Sequence, residues 1–429
     1  MMLDHGLIAL MATIVALGMG LVTLINTNAA IVLLIVSMLL SPEIPLGALS
    51  ERAVVIRAED LLLGVIFFSW LAKLAINKQM GLLRSTPLNV PIGLFTLSCF
   101  LSTGLGLLRG TVQHPVGSGF YLLKYVEYFM LYFMVANVTH ERRQVELFLK
   151  ALLLTAACVC LYAYWQMAAY GIHFRLTAPF EGIPEPNTLA GYFLIMMAVC
   201  VSLAVYGPSA SWQLASLGLV LLMLPPFLFT YSRGGYVAFI AAYLVICWTT
   251  RKHRLVLWSV LVLGILLATT LLPHTVYERM ASTFDPRGAV QVGHMRLAAS
   301  PAQRILIWRY IFEQWKQHPL LGFGVTGVGF VDNQNALVLG EVGIIGMLFY
   351  VWVRWRLLAI SHRAFRRLED PLGQALSLGF FAALIGLLVH SLTGNIFIII
   401  RIMEPFWLLA AIVTVLPRVL GPASAPTAP

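Results

Sequence analysis

Long apolar runs recur along the chain, separated by short polar stretches. Runs near 7–25, 59–77, 88–108, 119–138, 146–169, 188–206, 212–231, 234–250, 255–272, 335–353, 374–393 and 397–417 stand out. Each is close to the roughly 20 residues that a helix needs to cross a bilayer's hydrocarbon core. A shorter run, Ala29–Leu40, is either a thirteenth span or a re-entrant piece. The pattern predicts an all-α polytopic membrane protein with about 12 (12–13) transmembrane helices, forming a single membrane domain over residues 1–429. The largest interruption, residues 273–333, is expected to form one large external loop, and the Ala/Pro-rich stretch 421–429 a disordered tail. The first run lacks the basic flank of a cleavable signal peptide, and no repeat of fixed period is evident.

Composition excludes a soluble fold. The chain is 60% hydrophobic and 11% charged, with a mean hydropathy of +0.87. Soluble domains average about 45–50% apolar and about a quarter charged. The net charge of +10 would suggest nucleic acid in a soluble protein. Here the excess sits mainly in short loops between apolar runs, where it sets topology, so no nucleic-acid partner is expected. Cys99, Cys158, Cys160, Cys200 and Cys247 all fall inside apolar runs, which assigns them to packing rather than to disulfides. The histidines show no metal-ligand spacing, so neither a metal nor another cofactor is implied.

The basic loops alternate. Lys73, Lys78 and Arg84 follow one run, and Arg142, Arg143 and Lys150 follow another. Arg251, Lys252 and Arg254, then Arg354, Arg356, Arg363, Arg366 and Arg367, continue the series. Loops between them are poor in basic residues, with Arg109 alone in 109–118 and Arg175 alone in 171–187. The basic side is therefore expected to be cytoplasmic. That places 273–333, the loop 171–187, the Ser232-Arg233 turn and the Gly394-Asn395 turn outside. An external active site has no access to cytoplasmic nucleotide donors and needs a substrate that carries its own activation, such as a lipid diphosphate.

Candidate chemistry collects on that face. From Gln303 to Val351 an amphipathic segment, with Trp308, Ile311, Phe312 and Trp315 at helical spacing, runs to His318-Pro319 and stops. Gly322, Gly324, Gly327 and Gly329 then permit sharp turns or close approach to a ligand. Asp332-Asn333 stands at the mouth of the next apolar run, with Glu341 further inside. Asp332 could serve as a general base, although taken alone a helix cap is the favoured reading, and Glu341, inside a span, needs a partner such as a neighbouring helix or an arginine. Ahead of Asp332 the loop carries Arg279, Arg287, Arg296, Arg304, Arg309 and Lys316 against Glu278, Asp285 and Glu313, a basic surface suited to an anionic lipid.

TYSRGGY, Thr230–Tyr236, joins two runs with almost no loop. Arg233 beside glycine N–H groups is either a phosphate clamp or a snorkelling anchor. Ser232 belongs to the same turn. Lys124 and Glu127, like Arg401 and Glu404, are three apart and share a helix face. Asn187, in PFEGIPEPNTLAGY, precedes a span, where capping is the plain alternative to binding.

Taken in order, these pieces resemble the O-antigen ligase and polymerase superfamily of bacterial envelope glycosyltransferases. The resemblance rests on SRGG at Ser232–Gly235, RILIW leading into HPLLGFGVTGVGF at Arg304–Phe330, and DNQNALVLGEVGIIG at Asp332–Gly346. LKYVEYFMLYFMVAN and PEPNTLAGYF look similar upstream. The resemblance implies a GT-C-like fold of about a dozen helices with a large periplasmic loop, placed in the bacterial inner membrane. It implies inverting transfer from an undecaprenyl-diphosphate-linked glycan, in contact with membrane lipid and with other polysaccharide-assembly proteins as candidate partners.

By position, Arg233 and Arg304 would hold the donor diphosphate and Asp332 would act on the acceptor. Ser232, Asn333, Glu341, Gly322, Gly324, Asn187 and Lys124 complete the expected substrate-binding set. The ligases carry His-Asn where this chain has Asp332-Asn333, a departure that favours a polymerase over a ligase. A transporter or flippase is the alternative from another class, but it would need a mid-membrane polar pathway and related halves.

Overall fold

The computed structural model describes residues 18–48, 53–76, 84–182, 184–271, 274–283, 290–292, 295–297, 299–329 and 331–421. Most of the expected tail (422–429), the start of the first apolar run (7–17) and parts of the long loop (284–289, 293–294, 298 and 330) lie outside the described residues.

Residues 18–25 are helical. Next come α1 (Thr27–Leu40), the hairpin β1 (Glu43–Ala48) and β2 (Ala53–Arg57), α2 (Ala58–Ile76), α3 (Asn89–Arg109) and α4 (Pro115–Val138). They are followed by α5 (Arg142–Tyr170), α6 (Pro186–Tyr206), α7 (Ala210–Phe229), α8 (Arg233–Thr249), α9 (Arg254–Leu271) and α10 (His274–Ala281). A second small hairpin, β3 (Val290–Val292) with β4 (Met295–Leu297), precedes α11 (Ala299–Trp315), α12 (Gln334–Arg367), α13 (Pro371–His390) and α14 (Ile400–Val419). The two hairpins amend an expectation of helices alone. Seven described helices, α3, α5, α6, α7, α12, α13 and α14, are long and apolar enough to cross a membrane; α1, α8 and α9 contain shorter apolar helices.

Local chemistry sets the ends of these helices. Pro115, Pro186 and Pro371 open α4, α6 and α13, where a missing N–H costs nothing. Asn26, Ser232, Asn333 and Asp370 cap α1, α8, α12 and α13 by accepting from backbone amides. Helix α6 is apolar on every face and buried almost throughout; it packs mainly on α13 and α7. Helix α9 is the opposite, exposing Leu255, Val256, Leu263 and Leu266 as a lipid-facing helix does.

Buried charge organises one end of the bundle. Arg401 on α14 is completely buried. The expected partner was Glu404, one turn along; the guanidinium turns instead to Glu43 at 3.3 Å. It also donates to the carbonyls of Leu39 (2.9 Å), Ser41 (3.1 Å) and Pro179. Glu43 is shared with Arg57 at 2.5 Å and accepts from the Gly182 amide at 2.9 Å. One arginine thus ties the end of α1, the first hairpin and the loop before α6 to α14. Lys124 does pair with Glu127 (2.9 Å), as expected, and also with Asp60 (2.5 Å).

The basic run after residue 353 is not a loop. α12 continues to Arg367, and Arg354 lies inside the bundle over the Tyr350 ring, 3.1 Å from its centroid, with Phe397 at 4.3 Å. Stacking on two aromatic faces replaces the water that a cytoplasmic loop would have supplied.

α12 is broken at Gly343, whose φ of 64° and ψ of −167° are not helical. The freed groups are taken up by the chain before the helix. The amides of Ile344 and Ile345 donate to the carbonyls of Pro319 (2.9 Å) and Leu320 (3.2 Å). In return Phe323 and Gly324 donate to the carbonyls of Gly340 (3.0 Å) and Glu341 (2.9 Å).

Replacing Arg401 with Leu should leave the carbonyls of Leu39, Ser41 and Pro179 without their donor and Glu43 with Arg57 as its remaining cation, costing about 3–5 kcal/mol; a lowered unfolding midpoint in detergent would report it. Gly343→Ala places a Cβ against the Leu320 carbonyl in a backbone region confined to glycine. A cost of about 1–3 kcal/mol is expected, with hydrogen exchange at Ile344 and Ile345 accelerated and the distal end of α12 unchanged.

Candidate functional site

The paired backbone described above fixes the floor of a polar mouth. Gly322 and Gly324, expected near a ligand, use their positive φ values (65° and 92°) to thread the loop into the α12 break. A Cβ on either would strike protein: the Gly340 and Glu341 carbonyls for Gly322, and Val112 and Thr103 for Gly324. Glu341, also expected to bind substrate, is buried and accepts the Thr326 amide at 2.8 Å. Ser102 bonds the Glu341 carbonyl at 2.6 Å. These residues hold the loop, and Lys124 sits apart in the ionic cluster with Asp60 and Glu127.

Above this floor the structure joins residues remote in sequence. Arg304, from α11, grips one oxygen of Asp332: its Nε and Nη2 reach Oδ2 at 2.9 and 2.8 Å. Both side chains remain partly exposed, at 25% and 29%. The Asp332 side chain does not cap α12; Asn333 does, accepting the Ala336 amide at 2.8 Å while its amide donates to the Leu392 carbonyl at 2.9 Å. Asn333 thereby ties the mouth of α12 to the turn after α13, and the Gln334 amide adds a bond to the Ser391 carbonyl at 3.1 Å.

The Ser232-Arg233 turn closes one side. Tyr231 adopts a φ of 53°, held by its hydroxyl on the Ile172 carbonyl at 2.6 Å. Gly234 follows because a side chain there would collide with Thr393 and the buried His390 ring. Ser232 Oγ caps the Gly235 amide (3.2 Å) and donates to Asn187 Oδ1 (2.8 Å), so Asn187 joins the site through the turn. Arg233 donates to Thr283 at 2.9 Å.

Four guanidiniums converge here. Arg233 feels the like charges of Arg279, Arg304 and Arg175. Burial, with the repulsion of Arg279, holds Arg175 below the usual arginine range. The Nε of Arg279 is buried without a protein partner. Against these stands Asp332, and the loop before α6 brings two further carboxylates, Glu181 beside the Arg401–Glu43 pair and Glu185 within range of Asp332. Burial pushes Glu181 up to about 8. Burial, reinforced by the Asp332 charge, also raises Glu185. Like charges that face one another across water-accessible space suit a bound polyanion. A nearby carboxylate supplies a proton acceptor.

The sequence had marked Arg233, Arg304, Asp332, Ser232, Asn187 and Asn333, and the structure brings all six to this mouth. The sequence offers Arg279 only as one base of the loop's basic surface and Arg175 only as the single base in its loop. Glu185 lies within the PEPN stretch, where nothing in the local pattern sets it apart. His390, buried with Nδ1 unpartnered, carried no signal, since one histidine at the end of an apolar run reads as packing.

Residues 218–351 match the family model described as O-Antigen ligase. No curated protein matches the chain. The matched stretch begins within α7 and runs through Ser232-Arg233, Arg279, Arg304 and Asp332 to the α12 break. With several helices apolar enough to span a bilayer, this stretch identifies the chain as a multi-pass membrane protein similar to the O-antigen ligase and polymerase superfamily.

Proposed function

We propose that the protein polymerises undecaprenyl-diphosphate-linked oligosaccharide repeat units into an exopolysaccharide or O-antigen. The observation that carries this reading is the gathering of Arg233 and Arg304, 71 positions apart by number (304 − 233), with Asp332 at one open mouth. A diphosphate bears several charges in a small volume, and guanidinium forks match its oxygens two at a time.

In this reading the arginines hold the donor diphosphate. They stabilise the negative charge that grows on it as the bond to the sugar's anomeric carbon breaks. Arg279, with its unmet donor, and Arg175 extend the clamp. The acceptor is the non-reducing-end sugar of a second lipid-linked unit, whose hydroxyl is oriented beside Asp332. Attack from the face opposite the departing diphosphate inverts the anomeric centre. The chain crosses the inner membrane about a dozen times, the basic loops lie in the cytoplasm, and this mouth opens to the periplasm.

A ligase is the second reading, supported by the description of the matching family model. It would pass finished glycan to lipid A-core or to protein. Products separate the two: cells lacking a polymerase accumulate single repeats, and cells lacking a ligase accumulate long lipid-linked chains.

Arg233→Ala and Arg304→Ala should each lower glycan transfer by about 10²–10³-fold, measured with purified protein and a lipid-diphosphate oligosaccharide, while membrane insertion stays normal. Undiminished chain length in either variant would sink the diphosphate clamp. Arg279→Ala should chiefly raise the donor KM, by about tenfold for the loss of one charged hydrogen bond.

A further inference from the structure

Helix α6 begins with an unused cap. Glu185 occupies its N-cap position with extended backbone (φ −127°, ψ 99°), yet its carboxylate makes no capping bond to the first turn. Acceptor side chains at this position ordinarily take an amide from that turn. The side chain instead lies beside Asn187, two residues on, and within range of the Asp332 charge. It is exposed, although protein walls it in on several sides.

The two facing carboxylates are not equivalent. Oδ2 of Asp332 receives both Nε and Nη2 of Arg304, so a cation engages its lone pairs. Among the described residues no arginine pairs with Glu185; beside it lies the neutral Asn187 amide, whose oxygen accepts from Ser232 at 2.8 Å. Ser232 and Asn187 thus tie the Arg233 turn to the start of α6, two residues from Glu185. The donor clamp and this carboxylate share one scaffold. The Arg401–Glu43 latch holds the far side of the same loop through the Pro179 and Phe180 carbonyls and the Gly182 amide.

We propose that Glu185 is the general base of the transfer, accepting the acceptor hydroxyl's proton, while Asp332 serves as the counter-ion that positions Arg304. This rests on the glycosyl-transfer reading above. In the step, the acceptor oxygen forms the new bond to the anomeric carbon. The bond from that carbon to the diphosphate oxygen breaks, and its electron pair leaves with the diphosphate. The hydroxyl proton passes to Glu185 and then to solvent. Charge is conserved, and no oxidant or metal enters.

The surroundings suit this work. The charges facing Glu185 are Asp332 from the mouth of α12 and Glu43 from the first hairpin, with Glu181 on its own loop. The cations answer those neighbours: Arg304 pairs with Asp332, and Arg57 and Arg401 with Glu43. The protein that partly encloses this exposed side chain, together with the Asp332 charge, raises Glu185 above an ordinary carboxylate, which makes its ionised form a stronger proton acceptor.

The test uses full-length protein in proteoliposomes with undecaprenyl-diphosphate oligosaccharide, comparing wild type, Glu185→Gln, Glu185→Asp and Asp332→Asn under single turnover. Glu185→Gln should slow transfer by about 10²–10⁴-fold with donor KM nearly unchanged, and Glu185→Asp should restore part of the rate. The wild-type rate should fall as pH drops through the Glu185 pKa in the bound complex, and that acid limb should vanish in Glu185→Gln. Asp332→Asn should keep the limb while raising donor KM. A wild-type rate and an intact acid limb in Glu185→Gln, with the limb lost in Asp332→Asn, would overturn the assignment and leave glycosyl transfer standing. Absence of any transfer by wild type from the lipid diphosphate would remove the parent reading and this one together.

Discussion

The exchange of hydrogen bonds between residues 319–324 and the broken turn of α12 is the interaction on which the site depends. A helix in hydrocarbon cannot leave backbone groups unpaired, so a break survives only where other backbone fills it. Gly343 makes the break and the turn segment from Pro319 to Gly324 fills it. Once that segment is anchored, α11 is held above it and Arg304 falls against Asp332. Gly322 and Gly324 serve to close the broken helix. The density of glycines in this loop signals a polar mouth.

Charge is handled in two contrasting ways. In the cluster of Glu43, Arg57, Asp60, Lys124, Glu127 and Arg401, opposite signs meet at short range and several backbone carbonyls assist. Such a network fixes geometry, here the loop that carries Glu181 and Glu185. At the mouth, by contrast, Arg175, Arg233, Arg279 and Arg304 face one another with Asp332 the single close anion among their ion pairs in the described residues. An arrangement that is electrostatically costly in the free protein is the kind that gains most when a polyanion arrives. The same protein thus places paired charge in the latch and like charge at the mouth proposed to hold a polyanion.

The Arg354 stack shows why loop charge and buried charge are hard to separate in a sequence. RWRLLAISHRAFRR reads as a basic loop because its arginines are frequent. Yet Arg354 lies over Tyr350 and Phe397 within a helix of 34 residues. The aromatic partner on α12 is four residues away and visible in the sequence. Phe397 comes from another element, and nothing in the local pattern predicts it.

Hydrophobic periodicity by itself determined the helices and their order, because an apolar run of about 20 residues has few other stable forms in a bilayer. The sequence also marked Arg233, Arg304, Asp332 and Asn187, since polar residues at the ends of apolar runs are costly enough to stand out. What tertiary structure decided is which of these meet. Arg401 passes over Glu404 for Glu43, Glu341 turns inward to an amide, and Arg175 and Arg279 join a cluster no spacing links. Each outcome depends on which backbone and side chains cross at a given depth. Pairing through space is set by the packing of distant helices, and a linear pattern holds no measure of it.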